Sequence, residues 1–185
     1  MNVTLAAMRL LATLLTLAVV LPALAQDQAI RFSKTSGGLT LKSYDAETST
    51  HLFEGKVVVT GTIVFQLDMA SPTQASGDVN FAKFIPDASS VRKLPAVVSG
   101  AFAGPIRYVS LEPADVALRD ALGADEAKRV SHGTQSSVSA RVKVLIHTYR
   151  TGIECDARTY WATIDPKDVA PLGTLVAAAE APSGC

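Results

Sequence analysis

The chain has 185 residues, in which 17 Lys and Arg balance 17 Asp and Glu, with three His and two Cys. A chain without basic excess is poorly furnished for nucleic acid or an anionic membrane surface, where affinity accumulates from Lys and Arg, so no nucleic-acid partner is expected. The length suits one domain with its own hydrophobic core, without recourse to a metal.

The first 25 residues form a distinct segment. Met1 to Arg9 carry a single charged side chain, the cation Arg9, and Leu10 to Leu21 form an apolar run. Pro22 breaks that run, and Ala23-Leu24-Ala25 sets small residues at alternate positions. This succession is that of a cleavable secretory leader. Residues 10–25 fall short of the ~20 apolar residues needed to cross a bilayer, and Pro22 disfavours helix at their end. The expected mature protein is residues 26–185, a single globular β-rich domain with a C-terminal tail, located in the periplasm or secreted. Losing Arg9 leaves 16 basic against 17 acidic residues. Gln26 rather than a cysteine follows the expected cleavage point, so neither a lipid anchor there nor stable membrane insertion after cleavage is expected.

Beyond the leader, Ser36-Gly37-Gly38 signals a turn before a strand over 39–44. Residues 56–67 alternate strongly: Val57, Val59, Ile63, Phe65 and Leu67 share one face, with Thr60, Thr62 and Gln66 on the other, the pattern of a long half-buried strand. Gly61 falls on the apolar face, where a missing side chain suits a bulge or sharp coil. Residues 68–77 read as a loop, 79–85 as a strand ended by Pro86-Asp87, 88–105 as irregular, and 106–111 as a further short strand. Pro113 suits a first helical turn and Asp115 its positive end. Val116, Ala117, Ala121 and Leu122 then form an apolar stripe, with a second helical piece over 125–130 beyond Gly123.

Two alternating runs close the domain, 138–149 and 154–164, and Thr151-Gly152 between them predicts a hairpin. That turn would place Val142, Val144, Ile146 and Thr148 beside Cys155, Ala157, Thr159 and Trp161 on a core face. Outside it would set Lys143 opposite Tyr160, Leu145 opposite Arg158, His147 opposite Asp156 and Tyr149 opposite Glu154. Cys155 and Cys185 are the only cysteines, and an even pair outside the cytosol reads as one disulfide. Closing a loop of about 30 residues stabilises by roughly 3 to 4 kcal/mol in the chain-entropy model.

Candidate chemistry concentrates on the hairpin. His147 beside Asp156 is half of an acid-base device, while Tyr149, Glu154, Arg158 and Tyr160 are the candidate binding residues. Cross-strand charge pairs also furnish ordinary solvent faces, and the chain has no G-x-S-x-G nucleophile motif. His51, His132 and His147 lack metal-ligand spacing, so neither a metal site nor a cofactor is expected. Ser131-His132-Gly133 reads as a helix exit, and Tyr108, Tyr149, Tyr160 and Trp161 as possible members of an aromatic platform, Trp161 being assigned to the core.

The elements together predict a mainly β (α+β) fold: an antiparallel sheet or small OB-like open barrel of about five or six strands, with one helical region before a C-terminal hairpin. The functional expectation is a non-catalytic envelope binding module for a protein, glycan or small ligand. The alternatives are a hydrolase using His147 and Asp156, or a structural or assembly factor of the envelope. Leader and disulfide share one check: protein recovered from an exporting host should have the mass of residues 26–185 less two hydrogens. The mass of the uncleaved chain would refute the leader, and that of a dithiol the bridge.

Overall fold

The computed structural model describes residues 30–67, 79–100, 102–114, 117, 121, 123 and 137–178. The two strongest alternations become the two longest strands, β3 (Thr50–Leu67) and β7 (Ser137–Glu154), each 18 residues long. They pair antiparallel from His51 opposite Thr151 to Gln66 opposite Ser137. Val59, Ile63 and Phe65 from one strand and Val138, Val142, Val144 and Ile146 from the other are fully buried. Each such side chain stabilises the fold by roughly 1.5 to 3 kcal/mol relative to exposure, so this strand pair is a principal source of the core.

Further strands close these two into a ring. β4 (Val79–Pro86) lies antiparallel to the second half of β3, and β6 (Val109–Glu112) antiparallel to β4. β6 runs parallel to β8 (Ala157–Thr163), which returns antiparallel to the second half of β7. The β7–β3 ladder completes the circuit β3-β4-β6-β8-β7-β3. Five strands so ordered, with the only parallel pairing between the third and the fifth, follow the circuit of an OB barrel. Helical residues Ala114, Ala117 and Ala121 stand between the third and fourth ring strands. Ala117 and Ala121 are buried in the core, at a spacing that keeps them on one helical face.

Five further strands surround the ring, so the described residues hold ten strands rather than five or six. β2 (Gly38–Asp45) pairs with the first half of β3. β1 (Arg31–Phe32) pairs with β5 (Val97–Ser99) in a small separate sheet. β9 (Val169–Pro171) and β10 (Val176–Ala177) pair with the first half of β7.

Both long strands change partner where their ladder is interrupted. Glu54 faces Thr148 and Val57 faces Ile146, so Gly55 and Lys56 together oppose His147 alone. This is a β-bulge. Gly55 adopts φ +148°, and a Cβ there would run into the Gly38 carbonyl, so the bulge is built on the residue that tolerates it.

The bulge corrects two expectations at once. Burial on β7 falls on Val142, Val144 and Ile146, then skips to Tyr149 and Thr151. Past the bulge the inward parity is reversed, and the partner strand reverses with it: Tyr160 and Ala162 face the core, while Cys155 and Ala157 are exposed and Thr159 and Trp161 only partly covered. The hairpin turn is also displaced. It lies at Cys155-Asp156, with φ +47° and +56°, the left-handed pair required by a two-residue turn whose twist matches the strands. Glu154 therefore faces Ala157 and Tyr149 faces Ala162. Gly152 sits inside the strand, where a Cβ would stand 3.3 Å from the Trp161 ring. The glycine serves close packing, not the turn.

Two further expectations change. The stretch 88–105 contains a short helix, α1 (Ala88–Val91), as well as β5. The preceding Asp87 takes a bidentate bond from Arg141 (2.8 and 2.9 Å) and accepts from the Thr60 hydroxyl (2.8 Å), fastening this segment to the outer face of the long strands. Gly61 is not the bulge. A Cβ there would press on the Ile85 carbonyl and lie 2.7 Å from the Phe84 ring, so Gly61 admits Phe84 into the core. The 68–77 loop, Val116, Leu122, the 125–130 piece, the 131–133 exit and Cys185 lie outside the described residues. Gly61→Ala should lower stability by about 1 to 3 kcal/mol through overpacking, seen as a lower urea midpoint at unchanged slope. An unchanged midpoint would refute the packing role.

Candidate functional site

The β7–β8 hairpin and the segment 102–108, which leads into β6, form the walls of a cleft of about 460 Å³. Arg107 and Tyr108 lie on one wall, and Glu154, Asp156, Arg158 and Tyr160 on the other. Three of the four candidate binding residues thus meet in one place, together with Asp156. Tyr149 supports them from the core, stacked beneath Tyr160 with ring centroids 6.0 Å apart and planes at 20°. The expected outward position of Tyr149 is corrected by the bulge: it is fully buried and donates its hydroxyl to the Pro95 carbonyl at 3.1 Å.

Tyr160 fixes the geometry between the walls. Its hydroxyl accepts from the Val97 amide (3.2 Å) and donates to the Gly104 carbonyl (3.3 Å). Val97 and Gly104 are joined in turn by a backbone bond of 3.1 Å. One phenol on β8 therefore holds both ends of the 97–104 loop, and burial raises its pKa above the ordinary tyrosine range, so it stays a protonated donor.

Phe102 lies at the rim, 44% exposed, with φ +55°. A bulky residue in left-handed backbone is uncommon, and Asp156 across the cleft shares that conformation. Tyr108 has one ring face under the Lys83 ammonium, 4.4 Å from the centroid. Lys83 is itself buried, and that burial lowers its pKa.

Behind Arg158 lies a cluster that the sequence did not announce. His51 is buried, stacked on Tyr44 (4.3 Å between centroids) and edge-on to Phe32 (5.0 Å). Its Nδ1 is enclosed without a hydrogen-bond partner among the described residues. Burial first, then the Arg158 charge, lower its pKa, against a smaller opposing effect from a Ser49 backbone hydrogen bond. Burial likewise lowers the pKa of Arg158, while Tyr160 and Tyr44 oppose that shift.

His147 stands elsewhere. It does pair with an acid, but with Asp168 rather than Asp156: Nε2 lies 2.9 Å from Oδ2, reached from the 3-10 turn Pro166–Asp168. Asp156 is drawn to the hairpin tip by the four-residue displacement of the turn, so the expected His147/Asp156 pair is not formed. His147 lines neither the 460 Å³ cleft nor a smaller one of about 220 Å³ beside Arg150 and Trp161. There Arg150 lies over the Trp161 ring at 5.2 Å and meets both Glu112 oxygens at 2.7 and 2.9 Å. Trp161 is thus a partly exposed stacking partner, not a core residue.

Among the described residues no group of three or more His, Cys, Asp or Glu could hold a metal ion, and no helix is long and apolar enough to cross a membrane. Compared with known protein families, curated proteins and solved structures, the chain matches none.

The buried His51 makes stability depend on pH. Its folded pKa is depressed, so as pH falls the unfolded chain takes up the proton first, and stability present above about pH 6.5 is lost as pH falls through the folded value. Urea midpoints should therefore drop between about pH 7 and about pH 5, and His51→Phe, which keeps a ring against Tyr44 and Phe32, should flatten that part of the profile. Identical profiles would refute it.

Proposed function

We propose that the chain is an exported, non-catalytic binding domain that holds its ligand in the cleft between residues 102–108 and the β7–β8 hairpin. The observation that carries this reading is the convergence of Glu154, Asp156, Arg158 and Tyr160 with Arg107 and Tyr108 around a volume of about 460 Å³, a size suited to small-ligand sites. Two features lend support. The left-handed backbone of Phe102 sits at the cleft, and such conformations gather at ligand sites, where surrounding structure holds them. The hydroxyl of Tyr160 braces the opposing loop, which keeps the walls in place before a ligand arrives and so reduces the ordering cost of binding.

Export and the Cys155–Cys185 bridge belong to the same proposal. Cys155 stands between the cleft residues Glu154 and Asp156, so a bridge there ties the C-terminal tail to the turn that carries one wall. The test is an amide-resolved NMR screen of the protein against a chemically mixed fragment library. Binders should shift amides within 102–108 and 154–160. Shifts gathered instead around His147 and Asp168 would overturn the cleft as the site and return attention to the acid-base pair.

A further inference from the structure

Resting on that cleft, we infer that its ligand is an uncharged oligosaccharide. The first argument is charge. The charged lining groups are two guanidiniums, Arg107 and Arg158, and two carboxylates, Glu154 and Asp156, whose formal charges cancel. A cleft so balanced presents no net field to concentrate a polyanion or polycation.

The second argument is hydrogen-bond type. Each sugar hydroxyl both donates and accepts, and neighbouring hydroxyls present these functions in pairs. Guanidinium groups only donate and ionised carboxylates only accept, each through two or more coplanar positions. A wall carrying both kinds satisfies hydroxyl pairs, whereas a ligand of one polarity would leave half of the lining groups unmatched, at the cost of their desolvation.

The third argument is the rim. Phe102 is 44% exposed and held in left-handed backbone; an aromatic ring has an electron-rich face that attracts the polarised C–H positions of a sugar ring. Tyr108 adds a second ring to the lining, with Lys83 over one of its faces. A concave site of this size also suits a short glycan better than a protein surface, which asks for a flatter and far larger contact area.

The experiment titrates the protein with maltotriose, cellotriose and tri-N-acetylchitotriose, with trialanine as a zwitterionic comparator, following amide shifts. At least one trisaccharide should shift residues 102–108 and 154–160 saturably. Phe102→Gly, which suits the left-handed backbone but removes the ring, should weaken binding by about tenfold or more, and Phe102→Trp should restore it. Asp156→Asn, a substitution well suited to that turn position, should weaken binding by a similar factor without disturbing the spectrum elsewhere. Cleft shifts with trialanine alone would overturn the saccharide assignment and leave the cleft standing as a binding site. Silence from all four probes at millimolar concentration would overturn the saccharide assignment, with the fragment screen deciding the cleft separately. Saccharide binding indifferent to Phe102 and Asp156 would overturn the cleft as the place where it binds.

Discussion

The bulge that sets Gly55 and Lys56 against His147 is the constraint on which the rest of the architecture depends. Two 18-residue strands paired without interruption would form one long ribbon with a single inward face. One extra residue on β3 bends the pair and reverses the parity of β7 beyond it. Each long strand can then serve two neighbours in succession: β3 turns from β2 to β4, and β7 from β9 and β10 to β8. That exchange of partners closes the ring. The bulge also decides which hairpin residues become core, because Tyr149, Tyr160 and Ala162 face inward only on its far side.

The cleft follows from the same bend. With Tyr160 turned inward rather than outward, its hydroxyl reaches Val97 and Gly104 and draws the loop before β6 against the hairpin. Had the parity continued unbroken, Thr159 and Trp161 would point inward, and neither carries a phenol to join those two backbone groups. The site is therefore a product of the bulge at Gly55-Lys56. Its two walls come from stretches about 50 residues apart in the chain, joined by a side chain whose orientation is fixed by a glycine in a third element.

The legible parts of the fold were those written as period-two alternation. The runs around Val57 to Phe65 and Val138 to Ile146 announced both long strands and their inward faces, and Ala117 and Ala121 announced the helical face. The order strand, strand, strand, helix, hairpin pointed to the OB-like circuit. The bulge escaped because its signal, Gly55-Lys56, lies before the alternation becomes regular, while Gly61, the more conspicuous glycine, serves the packing of Phe84. The turn escaped because Thr151-Gly152 offers the cheaper positive-φ residue, and nothing local says that Trp161 will lie over Gly152. Of the site, Glu154, Arg158 and Tyr160 were singled out for a register that does not occur. They still converge because residues near a hairpin tip share one end of the barrel in either register. Of the opposite wall the aromatic pattern pointed only to Tyr108; Arg107 and Phe102 escaped, although an aromatic between Gly100 and Gly104 is a sign that Phe102 is presented rather than packed.

The cluster behind Arg158 bears on how the cleft holds its charge. Arg158 is half-buried, a setting that disfavours a cation, and the nearby Tyr160 and Tyr44 oppose that penalty. A protonated His51 would add a second positive charge near the guanidinium. Burial removes this conflict by keeping the imidazole neutral. The aromatic enclosure and the nearby guanidinium thus act together on His51, while Arg158 itself stays a cation and keeps the balance of two cations against two carboxylates in the cleft.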